Sequence, residues 1–302
     1  MIESRYSTLK LLVPGRLPVN ITQLSILLVI FCVFGNPQVA LSQQYSQPDS
    51  GLPQLSVEQI DWIGKKIFNN ECSLKIPCLT SWNEGEDFPS LGLGHFIWFR
   101  EGQSEPFVES FPELIKYFRE NTVGIPLPIE NLVFGTSPWQ TREQFYQQFH
   151  LSQLMALREF LSDTMPYQTS FIIQRLHLSL PKLLQETPHQ QREAIESLFY
   201  QLAASVSNAN GRPFGMYALI DYVNFKGEGT SPSERYKGKG WGLLQVLEEM
   251  LYDPDMPVMQ NFNLSAKSVL ARRVVNSPHD RNESRWTAGW NKRIDSYTPQ
   301  LP

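Results

Sequence analysis

The 302-residue sequence is poor in cysteine (3) and histidine (5), and it contains no long run of lysine or arginine. Each shortage excludes something. Binding nucleic acid by phosphate neutralisation needs positive charge, whereas 26 Lys and Arg against 30 Asp and Glu leave a net charge of −4, so no nucleic-acid partner is expected. His95, His150, His177, His189 and His279 are scattered and make no paired ligand spacing with the cysteines, so no metal centre is expected. There is no internal repeat and no low-complexity tract. What is present is 41% hydrophobic and 12% aromatic residues, enough for a large core as one big domain or two small ones, which excludes disorder as the main state.

The N-terminus reads as an export signal. Arg5, Lys10 and Arg16 precede an apolar core from Leu24 to Phe34, then Gly35 and Pro37 lead to a small-x-small site at Ala40-Leu41-Ser42. Residues 1–42 are therefore expected to be cleaved, or else kept as a membrane anchor, the chain's only expected contact with a membrane. Removing them, with Glu3, takes the 26 basic and 30 acidic residues to 23 and 29. Export places the protein in a periplasmic or extracellular compartment where disulfides persist. Cys32 leaves with the signal, and Cys72 and Cys78 remain as an expected bridge worth about 2 kcal/mol, the alternative being two free buried thiols.

Residues 43–55 are polar and rich in Pro, Gly and Ser, and are expected to form a flexible linker. The domain then begins at Ser56, where Ser56-Val57-Glu58-Gln59 makes a capping box for a helix with Val57, Ile60, Ile63 and Ile67 on one face, fraying near Asn69-Asn70-Glu71. Asn83 to Asp87 is a turn cluster, and the alternation from Leu91 to Phe99 predicts a strand, hence a small hairpin. After residue 106 the sequence reads helical. One helix carries Phe107, Phe111, Leu114, Ile115 and Phe118. A Pro-rich break at 124–138 precedes a longer helix, capped at Thr141 and carrying Phe145, Phe149, Leu154, Leu157 and Leu161. Thr187-Pro188 opens a helix with Ile195, Leu198, Leu202 and Val206 inside, followed by helices at 216–225, 243–251 and 265–275. The class is α+β, mostly helical with one small sheet near the start.

A glutamate closing the first helix, a carboxylate in the following turn and the strand Ser90-Leu91-Gly92-Leu93-Gly94-His95 together resemble the phage-type lysozymes, the muramidases that cut peptidoglycan. The resemblance continues through Ala218 to Gly229, similar to the family's buried helix ending in an aromatic, Asn224 and Gly-x-Gly. Leu243 to Leu247 is similar to the apolar helix that follows, and Gly289-Trp290-Asn291-Lys292-Arg293 to the closing signature. It implies a lysozyme-like fold over 56–302, enlarged by a helical insertion at 100–212. It also implies a monomeric glycosidase acting on the β-1,4 glycan of peptidoglycan without a cofactor. Twelve residues, where compact members have eight, separate Glu71 from Glu84, and Ser90 stands in place of the usual Thr.

Glycoside cleavage needs a protonated acid beside the leaving oxygen and a charge or activated water on the opposite side. Glu71, at the negative end of a helix dipole and with Trp82 expected nearby to desolvate it, suits the acid. Glu84, in a wet turn, suits the base or electrostatic partner, with Glu86 and Asp87 as alternatives. Ser90 is the candidate holder of the attacking water. Trp82, Gly92, Gly94, His95 and Asn224 are candidate substrate contacts, although His95 also reads as a structural pin, and the glycines permit close approach of either sugar or a packed helix. Two other readings stay open. Glu228 followed by Gly242-Leu243-Leu244-Gln245 also resembles the lytic transglycosylases, and a silent glycan-binding or envelope protein could share the fold. An anionic wall would ask for a basic patch, for which Arg272, Arg273, Arg285, Lys292 and Arg293 are the candidates.

Overall fold

The structure is a computed structural model describing residues 51–105, 107–207 and 210–299. The expected export segment and residues 43–50 of the expected linker lie outside the described residues. Among the described residues no helix is long and apolar enough to cross a membrane.

The first helix, Val57–Cys72, starts on the expected capping box: Ser56 accepts from the Gln59 amide at 3.3 Å, and the Gln59 side chain accepts from the Ser56 amide at 2.9 Å. Its apolar face buries Ile60, Ile63, Ile67 and Phe68. The body reaches back beyond Ser56, since Leu52 is buried in the core and Leu55 packs against it, so the end of the expected linker is part of the fold. The helix does not fray at Asn69. It runs to Cys72 and stops where Ser73 and Leu74 turn left-handed, because the side chains of Asn70 and Glu71 are tied to distant elements described below.

A small antiparallel sheet follows, with β1 (Thr80–Ser81), β2 (Ser90–Leu91) and β3 (Phe96–Ile97) in that order. The expected single strand from Leu91 to Phe99 is instead two short strands joined by a tight turn. Gly92 at φ +71° and His95 at φ +48° reverse the chain, and Leu91 pairs with both Thr80 and Phe96. The two-residue alternation misleads here because Leu91, Leu93, Phe96 and Trp98 are all buried, leaving no solvent face to distinguish.

The remainder is helical apart from a second small hairpin, Arg235–Tyr236 with Lys239–Gly240. The expected helix from Thr141 to Leu161 is broken into Arg142–Gln147 and Ser152–Asp163. The break lies where the Phe149 carbonyl accepts from Arg158 and the guanidinium covers the Phe149 ring at 4.0 Å. The Pro-rich stretch contains a helix of its own, Leu127–Leu132, begun by Pro128. Phe107 and Val206 are exposed, outside the helices expected to bury them.

The longest helix among the described residues, Met165–Glu186, lies inside the helical insertion expected at 100–212, although its bounds are not marked by the sequence. It packs along the first helix, so closely that a Cβ on Gly64 would meet Thr169 Oγ1 at 2.5 Å. Its Gln168, wholly buried, accepts from the Leu93 amide at 2.7 Å and donates to the Leu161 carbonyl, fixing the β2–β3 turn to the helical body. One connected hydrophobic core runs from Leu52 through Phe118, Leu161 and Tyr222 to Tyr297.

Candidate functional site

The end of the first helix is where the candidate residues meet. Glu71 Oε1 accepts from Asn224 Nδ2 at 3.1 Å and from the Arg293 guanidinium, while its Oε2 lies 3.5 Å from His95 Nδ1. These partners come from the buried helix Phe214–Lys226, the last helix Thr287–Asp295 and the β2–β3 turn. The Glu71 side chain keeps 14% of its surface exposed.

Beneath it is a second acid. Asp221, completely buried, accepts from Arg293 Nε at 2.7 Å, Arg293 Nη2 at 2.8 Å, the Tyr297 hydroxyl at 2.7 Å and Asn70 Nδ2 at 3.1 Å. A buried carboxylate is tolerated only when donors saturate it, and this one is saturated. Burial alone would lower the Arg293 value, but the charge and hydrogen bonds of Asp221, with Glu71 behind them, outweigh it and hold the guanidinium above the ordinary arginine range. Arg293 also stacks on the Phe225 ring at 4.3 Å. A rigid cation thus locks the helix-ending glutamate to the core.

Asn224 and His95 are therefore brought to Glu71; other candidates are not. Trp82 is a buried core residue, its indole donating to the Glu86 carbonyl at 2.7 Å and its ring set edge-on to Phe145, so it has no face to offer a sugar. The surroundings of Glu71 are accordingly a guanidinium, an amide and an imidazole, and not the aromatic pocket expected from Trp82. Ser90 lies in the middle strand, 4% exposed, a position closed to a substrate water. Gly92 and Gly94 serve packing: added Cβ atoms would strike Gln168 Oε1 at 2.5 Å and the Phe96 ring at 2.8 Å, so the close neighbour is the protein itself. Glu84 is exposed in the turn after β1, beside Glu86, whose carboxylate accepts from Asn83 at 3.1 Å. Glu228 is paired with Lys182 of the long helix at 3.2 Å.

Cys72 and Cys78 form the expected disulfide, which joins the helix end to the turn before β1. The expected basic patch is largely spent on internal acids. Arg293 serves Asp221 and Glu71, Arg273 serves Glu283, Arg272 serves Glu249, and Arg285 lies over the Trp286 ring. Sequence reasoning missed the Asp221–Arg293 pair. The available signal was a lone acid inside the apolar run Ala218 to Val223, which requires a buried counter-charge. The chain matches no family model, no curated protein and no solved structure.

Proposed function

We propose that this protein is a lysozyme-like glycosidase cutting the β-1,4 glycan of peptidoglycan, with Glu71 as the proton donor. The observation that carries the reading is convergence: the Gly-His turn, the Asn of the buried helix and the Arg of the closing signature all reach the one carboxylate that ends the first helix. These are the segments on which the resemblance rests, and they come from up to 222 residues away. The helical body with a small antiparallel sheet directly after the first helix agrees with it.

With Oε1 occupied by Asn224 and Arg293, Oε2, on the His95 side, is the oxygen that would meet the glycosidic oxygen in this reading. Glu84, exposed in the turn it shares with Glu86 and Asp87, is the second carboxylate that this reading calls for. The firm hold of Arg293 on Glu71 favours a second reading, a glycan-binding protein without turnover. Residues 43–302, the part this reading takes to be exported, are to be assayed on purified cell-wall glycan, scoring new reducing ends, anhydro-sugar ends and binding. Reducing ends that vanish in Glu71→Gln support the hydrolase. Anhydro ends that require Glu228 give the transglycosylase, and binding without either product gives the silent protein. Equal turnover by Glu71→Gln and the parent rejects the assignment of Glu71.

A further inference from the structure

Ligand types that the sequence leaves scattered are gathered beside Glu71. Cys72 closes the first helix, Cys78 lies on the short 3-10 turn Ile76–Leu79, and His95 comes from the β2–β3 turn; their ligand atoms all lie within 4.8 Å of one another. His95 Nε2 is 3.4 Å from Cys78 Sγ and 3.8 Å from Cys72 Sγ. In a tetrahedral zinc centre, with Zn–S about 2.3 Å and Zn–N about 2.0 Å, nitrogen and sulfur ligands lie roughly 3.5 Å apart. The imidazole therefore already stands at ligand distance from both sulfurs. It is held there by the tight β2–β3 turn, in which His95 is a left-handed residue at φ +48°. Its other nitrogen faces Glu71 Oε2 at 3.5 Å, the outer carboxylate that commonly orients a metal-bound histidine and fixes its tautomer.

We propose that in the reduced chain Cys72, Cys78 and His95 bind one zinc ion, with Glu71 as outer carboxylate and the fourth position open to water, so that disulfide and metal are alternative states of the same corner. The exchange balances. A phosphine reductant takes an oxygen from water and leaves as its oxide, its electron pair breaks the S–S bond, and the sulfurs become thiols. Zinc then binds as both thiol protons pass to solvent. The His95 side chain keeps 22% of its surface exposed, which gives the ion a route in. This site goes beyond the glycosidase reading, and its test does not use glycan turnover.

The full chain carrying Cys32→Ser, so that only two thiols are present, is reduced with a phosphine under argon. It is titrated with zinc against a chromophoric chelator and with cobalt for its absorption spectrum, with circular dichroism on the same samples. We expect one zinc per reduced chain and none per oxidised chain, and thiolate-to-cobalt charge transfer with intense visible bands from a tetrahedral site. We also expect at least 10-fold weaker binding in His95→Gln and roughly 10-fold weaker binding in Glu71→Gln. No uptake by the reduced chain, or His95→Gln binding as tightly as the parent, overturns the proposal. Should reduction unfold the chain, zinc must refold it; failure to do so overturns the proposal as well. A glycosidase that cuts glycan yet takes up no zinc would leave the functional reading standing and remove this one.

Discussion

Two carboxylate–arginine clusters flank the edge-on ring pair Phe225–Trp290, with Arg293 4.3 Å from the first ring and Arg273 5.3 Å from the second, and they are built for different work. Glu283 is covered completely, accepting from Arg273 Nε at 2.7 Å, Arg273 Nη2 at 2.9 Å and the Tyr236 hydroxyl at 2.8 Å, with Arg281 as a further ion-pair partner at 3.5 Å. Arg273 in turn lies 4.0 Å over the Trp241 ring. Burial works to raise the Glu283 carboxyl, but Arg273 and Tyr236 prevail and hold it below its usual value. Glu71 also has an arginine, yet it keeps an exposed edge and an oxygen that faces only an imidazole. A saturated, covered acid can fasten two elements; an acid with an exposed edge, its Oε2 3.5 Å from His95 Nδ1, is also within reach of a ligand. Lys226 lies between the clusters, its Nζ 3.6 Å over Trp290 and 3.9 Å over Phe225.

The comparison breaks most sharply by exchanging each glutamate for its amide. On the glycosidase reading proposed above, Glu71→Gln is expected to cut glycan turnover by about 10²–10⁴-fold while the denaturant midpoint moves little. Glu283→Gln is expected to do the reverse, costing about 3–5 kcal/mol in urea melts because a buried arginine loses its counter-charge, with turnover kept wherever the chain is folded. Turnover lost equally in both variants would mean that the two clusters share one structural role.

Smaller effects sharpen the picture. Gln168→Leu leaves the Leu93 amide without its acceptor and is expected to destabilise by about 1–3 kcal/mol in the same melts. The double change Cys72→Ser with Cys78→Ser removes a short cross-link and is expected to cost about 2 kcal/mol. The smallest effect concerns Lys226, which burial, then Arg273 and Arg293, push down to about 6 against the pull of Glu283. From that value up to the ordinary lysine range the unfolded chain holds a proton that the folded chain lacks, so this group makes stability rise with pH through that window. Lys226→Met should raise the thermal midpoint at neutral pH and flatten its climb toward alkaline pH, read by melts across the range.

Local signals were legible in the sequence and distant ones were not. The Ser56 capping box, the Thr141 cap and the Cys72–Cys78 pair each lie within a few residues of chain, and the structure has all three. The helix Met165–Glu186 was hidden because its buried face carries Gln168, Thr169, Ser170 and Ser179, and because Pro181 reads as a breaker although the helix continues through it. The turn at Gly92–His95 was masked by burial on both faces. At the candidate site, Glu71, His95 and Asn224 could be listed from motifs. That Arg293 is their counter-ion, and not part of a solvated face, depends on the docking of the last helix, which no local pattern encodes.

The bond from Arg293 back to Glu71 also sets a clock. At roughly 5–20 residues per second, a ribosome needs about ten to forty-five seconds to add the 222 intervening residues. During that interval the glutamate has been made but the cation that steadies it has not. A nascent chain therefore carries the acid without its arginine, and the contact to Arg293 forms only after the last helix has been made.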